Sequence, residues 1–126
     1  MMPEFKRDKL EKILKELSDV GGILGSAIVT RDGLLVVSDL CKKGCDINDE
    51  TFAAMSATMF GAAETALVEM KKKKAEEVTV ESDDAKLIAL SAGDKALLVT
   101  ITEPDVNLGL VRIEMGKASE KIQKEI

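Results

Sequence analysis

The sequence predicts an α+β domain, an antiparallel five-stranded sheet sandwiched between helices in an α/β/α arrangement with element order α-β-β-α-β-β-β-α. Three observations carry this. Two amphipathic stripes with helical spacing lie at the ends of the chain, and a helix-forming stretch occupies the middle. Five short apolar segments fall between them, and several are joined by Asp- and Gly-containing turns that suit antiparallel pairs. The 126 residues contain no repeat and no low-complexity linker, so a single domain spanning 1–126 is expected.

The first helix rests on Leu10, Ile13, Leu14 and Leu17, an i, i+3, i+4, i+7 stripe that ends at Gly21 and Gly22. ILGSAIVT (23–30) and LLVVS (34–38) follow as strands around the turn Arg31, Asp32 and Gly33. Both are apolar on both faces, which predicts a central place in the sheet for each. DLCKKGCDIND is a loop, and Asn48 or Asp49 caps the helix after it. That helix is expected to run to about Lys74. EEVTVES (76–82) alternates, with Val78 and Val80 opposite Glu77, Thr79 and Glu81, so it reads as a half-exposed edge strand. KLIALSA (86–92) and KALLVTIT (95–102) complete a meander through Gly93 and Asp94. The last helix carries Val111, Met115, Ala118, Ile122 and Ile126 on one stripe.

The central helix is the unusual element. Residues 51–67, TFAAMSATMFGAAETAL, hold one charged residue, Glu64, in a chain that is 33% charged. A surface helix of a small domain ordinarily shows a broad polar face. At 100° per residue, Phe52, Met55, Met59, Phe60, Leu67 and Met70 gather on an arc expected to face the sheet, opposite Ala54, Ala57, Thr58, Gly61, Thr65 and Val68. Small side chains shorten the distance at which a second helix packs. Gly61 costs a helix about 1 kcal/mol relative to Ala, which close approach of a neighbour would offset. A loop of the same chain is the other cover for this face, but few residues remain to form one. The small face, together with Val78 and Val80 on the edge strand, is therefore the expected contact with a second copy in a two-fold dimer.

Composition excludes several functions. A net charge of -5 and the absence of Trp and Tyr oppose a nucleic-acid partner. No apolar run approaches the roughly 20 residues that span a bilayer, and MMPEFKRDKLEK lacks the apolar core of a signal peptide. No membrane insertion and a cytoplasmic location are expected. The heavily charged surface is of a kind common in thermophile proteins. Cys41 and Cys45 cannot form a four-ligand zinc site within one chain that has no His and no other Cys. Inert thiols, a disulfide, or a metal site shared across a dimer remain as readings of CKKGC.

Chemistry is weakly signalled. A nucleophile needs a supporting base, and the chain has no His and no GxxxxGK[ST] loop. GGILGS (21–26) leads into a strand rather than a helix N-terminus, so it reads as a turn. No enzyme activity, no cofactor and no resident metal are expected. Arg31 on its hairpin turn is the best exposed arginine, a solvated turn residue with a charge-stabilising finger as the alternative. Lys71, Lys72, Lys73 and Lys74 suit a solvated helix C-terminus, with an acidic patch on a partner, or less readily nucleic acid or anionic lipid, as alternatives.

The element order, VGGILGSAIVTRDGLLVVSD (20–39) and EPDVNLGLVRIEMGKASEKI (103–122) resemble the Roadblock family, which includes dynein-associated light chains and MglB-type regulators of Ras-like GTPases. The resemblance covers nearly the whole chain and implies a Roadblock/profilin-like fold. It also implies a homodimer through the central helix 51–70 and the strand 76–82, and a Ras-like small GTPase docked over the paired helices. The CKKGC loop and the lysine run depart from the family's pattern. A regulator or scaffold of a GTPase is thus expected, with a purely structural adaptor as the runner-up. A small-ligand sensor, whose polar groups would be Ser91, Thr100 and Thr102, comes third.

Overall fold

A computed structural model describes residues 3–40 and 47–126. The elements are α1 (Glu4–Leu17), β1 (Ile23–Thr30), β2 (Leu35–Asp39), α2 (Asp49–Glu69), β3 (Glu77–Glu81), β4 (Lys86–Ala92), β5 (Ala96–Thr102) and α3 (Leu108–Glu125). Cys41 and Cys45 lie outside the described residues.

The strands form one antiparallel sheet in the order β2-β1-β5-β4-β3. Helices cover both faces of the sheet. The stripes of α1 and α3 meet Ile28, Val37, Ile88 and Leu98 on one face. On the other, Ala53, Ala57 and Phe60 of α2 bed onto Ala27, Val29, Ala89, Leu97 and Val99. The sandwich therefore has helices on both faces, as expected, with two on one side and one on the other.

The ends of the elements follow from local chemistry. Asn48 caps α2, its side-chain oxygen accepting from the Thr51 amide at 2.9 Å, and Asn107 caps α3 the same way through Leu110 at 3.1 Å. Gly22 turns the chain out of α1 with φ +92°, and a Cβ there would collide with Val106, so only glycine fits.

Two expectations about the elements are corrected. β2 is an edge strand, not a central one. Its apolar residues are covered above and below by α1 and α2, so two apolar faces report layers of cover and say nothing about strand neighbours. α2 ends at Glu69 rather than near Lys74. Lys71 takes a left-handed conformation, φ +58°. The Lys71 amide donates to the Val68 carbonyl and the Lys72 amide to the Leu67 carbonyl, both at 2.9 Å, closing a Schellman cap with a lysine where glycine is usual.

Candidate association surface of α2 and β3

The face that α2 turns to the sheet is rotated from the expected one. Ala53, Ser56, Ala57 and Phe60 are buried, with Phe52, Met59 and Leu67 packed partly beside them. Met55 and Met70, expected on the sheet, are 59% and 61% exposed. Ala57, expected on the outer face, is buried against the sheet. The physical reason is close approach: small residues let the helix sit low on the alanines of β1 and β4, and they do this work for their own chain. Even the β1–β2 turn comes near, since a Cβ on Gly33 would lie 3.3 Å from the Ala54 Cα.

The rotation leaves an outer face that is more apolar than the small-residue reading foresaw. Met55, Thr58, Gly61, Thr65 and Val68 are exposed there, and Ala54 is half-buried. The Thr58 hydroxyl is turned back to the Ala54 carbonyl at 2.8 Å, so it offers little polarity to solvent. A Cβ on Gly61 would meet no atom within 4 Å. Glu64, the one charge in this stretch, does not relieve the face. Arg31 holds it at 3.4 Å through both carboxylate oxygens.

Arg31 is accordingly not the exposed turn residue that its place on a hairpin suggests. Its guanidinium also donates to the Ser91 hydroxyl at 2.6 Å and the Gly93 carbonyl at 2.9 Å, and lies over the Phe60 ring. The side chain ties the β1–β2 turn, α2 and the β4–β5 turn together.

β3 forms the sheet edge beside this helix, as alternation predicts. The Ser91 amide donates to the Glu76 carbonyl at 2.9 Å, and the register continues Val78↔Ala89 and Val80↔Leu87. Residues 76, 78 and 80 thus spend their backbone groups on β4, and the amides and carbonyls of Glu77, Thr79 and Glu81 point away from the sheet. Val78 packs half-buried against the α2-side core, whereas Val80 is 43% exposed. Between the first turns of α2 and this edge runs an apolar groove of about 230 Å³, lined by Phe52, Val80, Ala85, Leu87 and Ile101 among others.

On the opposite face of the sheet, Glu77 and Glu81 are neutralised within the chain. Arg112 of α3 holds both oxygens of Glu77, at 3.1 and 2.9 Å, and Lys86 holds Glu81 at 2.9 Å. Partial burial would raise the Glu77 pKa, but the hydrogen bonds from Arg112 and from the Thr79 hydroxyl, with the Arg112 charge, outweigh it and hold the carboxyl below its ordinary value. Lys71, Lys72, Lys73 and Lys74 are all exposed where the chain passes from α2 to β3. They lie beyond the helix, still close to its negative end.

Sequence reasoning missed Met55 and the Arg112–Glu77 pair. Met55 was hidden by counting hydrophobicity without size, because alanine and serine buried themselves in place of methionine. Nothing in the sequence places residues 35 positions apart in contact.

Together these features define an α/β/α domain with an uncharged outer face on α2 and an unpaired sheet edge at β3. The chain belongs to the Roadblock/LC7 domain family, whose model matches residues 9–102. The uncharacterized protein MJ1340 of Methanocaldococcus jannaschii is 37% identical over 114 residues, covering 90% of this chain and 96% of its own. The fold is shared with a structure described as MglB with a tetrameric arrangement, at a TM-score of 0.91 and 17% identity over 99% of this chain and 93% of that one. Myxococcus xanthus MglB superimposes with a TM-score of 0.88 at 22% identity, over 98% and 92% of the two chains. Among the described residues no helix is long and apolar enough to cross a membrane.

Proposed function

We propose that this protein is a non-enzymatic homodimeric regulator, located in the cytoplasm, that binds a Ras-like small GTPase and modulates its nucleotide cycle. The observation that carries the reading is the uncharged outer face of α2 lying beside the open edge of β3. A face bearing Met55, Gly61 and Val68 is poorly served by water, and an edge strand with outward amides and carbonyls takes another strand readily. One copy supplies both elements to the other, and a pair of copies joins its two α2 helices into a broad platform. The GTPase comes from the likeness to MglB-type proteins, and the four lysines of residues 71–74 supply a basic rim that suits an acidic patch on it.

A ligand sensor is less well supported. Ser91 faces the α2 side, where Arg31 engages it. Thr100 and Thr102 lie on the opposite face of the sheet, and the Thr102 hydroxyl donates to the Glu103 carbonyl. These hydroxyls do not converge on one cavity.

The test is equilibrium binding of Ras-like GTPases from the source genome, each loaded with a GTP analogue or with GDP. Tighter binding of one nucleotide state supports a regulator. Equal binding of both states supports the adaptor reading, and no binding of either removes the GTPase from the account.

A further inference from the structure

We infer that Arg112 and Lys86 are the residues that let β3 pair with a copy of itself, in a register centred on Thr79. The inference rests on the homodimer proposed above and adds its register and its charge logic. The sequence of β3, Glu-Val-Thr-Val-Glu, reads the same in both directions. A two-fold axis through Thr79 sets Thr79 opposite Thr79, and Glu77 opposite Glu81 of the other copy. Because residues 77, 79 and 81 direct their backbone groups outward, all three form hydrogen-bonded pairs in this register, whereas a centre on Val78 or Val80 keeps only two such pairs.

The same register brings like charges together. Glu77 and Glu81 lie on the face of the sheet covered by α1 and α3, so each stands directly against the other's partner copy, twice per dimer. Like charges directly opposite on neighbouring strands oppose pairing. Each carboxylate, however, already carries its own cation: Arg112 chelates Glu77, and Lys86, directly across β4, holds Glu81. Self-pairing therefore assembles two neutral four-charge clusters flanking the axis. An edge strand with two bare glutamates would instead select a basic partner. The neutralising residues come from α3 and β4, so the strand's own sequence does not reveal its preference.

Sedimentation equilibrium of the full chain tests this. Arg112→Gln leaves two uncompensated glutamate contacts per dimer, and should raise the dimer dissociation constant roughly tenfold, a few-fold from each. Glu77→Gln combined with Arg112→Gln removes the repulsion and should return the constant to within about twofold of wild type. A merely structural role for Arg112 would give no such rescue. For the register, Thr79→Cys in a Cys41→Ser/Cys45→Ser background should form an intermolecular disulfide on mild oxidation, since Cα atoms of a hydrogen-bonded pair lie about 5.5 Å apart, within disulfide range. A dimeric wild type with Arg112→Gln equally dimeric, or with the double variant as weak as the single, overturns the charge inference. An unlinked Thr79→Cys dimer overturns the register. A wild type that stays monomeric overturns the homodimer itself, an outcome distinct from the other two.

Discussion

The guanidinium carbon of Arg31 sits 5.1 Å from the centre of the Phe60 ring. A cation over an aromatic face is attracted by it, and here the ring belongs to α2 while the cation belongs to the β1–β2 turn. The same side chain reaches the end of β4 through Ser91 and the turn after it through Gly93. Arg31→Ala should therefore lower stability by about 1–3 kcal/mol, through lost hydrogen bonds and the partly buried Glu64 left behind. Arg31→Lys should recover only part of that, because an ammonium cannot span three partners in a plane. Urea denaturation of the three proteins measures both. An Arg31→Ala protein as stable as wild type would return Arg31 to the role of a solvated turn residue.

Lys71 closes α2 in a left-handed conformation that a side chain disfavours. Lys71→Gly should stabilise the fold by about 0.5–1 kcal/mol, as the strain at this cap disappears while both cap hydrogen bonds remain. Thermal melting at equal protein concentration reads the change. A lower melting temperature would show that the lysine side chain contributes more than its backbone strain removes.

How far the fold was legible depends on which kind of signal each element carries. The α1 and α3 stripes were plain because Leu10, Leu14, Val111 and Met115 are large and periodic, and all four are buried. β3 declared itself as an edge through clean alternation. β2 did not, since layer cover and lateral pairing leave the same apolar pattern. The α2 face was misplaced by its small residues: Ala53 and Ser56 weigh little on any hydrophobic scale, yet close packing on the sheet selected them over Met55. The outer face is uncharged despite that error, because a helix with so little charge exposes an uncharged face whichever way it turns.

A substitution at Gly61 tests folding and the proposed association separately. Gly61→Leu should leave the monomer folded, since its side chain would enter open space in the single chain, and should improve local helix propensity. Dimerisation should weaken, overpacking typically amounting to about 1–3 kcal/mol. Circular dichroism with sedimentation equilibrium distinguishes the two effects. A variant that dimerises as tightly as wild type would move the interface off this part of α2.

Glu77, held by Arg112 and Thr79, should make stability sensitive to acid. Its folded pKa is depressed below the ordinary 4.5, so its stabilisation is fully present above that value and is lost as pH falls through the folded pKa. Wild type and Glu77→Gln should therefore converge in stability at low pH and differ most above about pH 5. Denaturation midpoints taken from pH 3 to pH 7 check this, and a difference that grows toward low pH would contradict the assignment.

Single-turnover GTP hydrolysis on a Ras-like GTPase from the same genome, with and without this protein at increasing concentration, reads the proposed regulation itself. The hydrolysis rate should change and the change should saturate with the dimer. With Lys71, Lys72, Lys73 and Lys74 all changed to Glu, the same change should require more protein and respond less to salt, because rim charges act mainly on the rate of encounter. A hydrolysis rate unaffected by saturating protein would contradict the regulatory function proposed here.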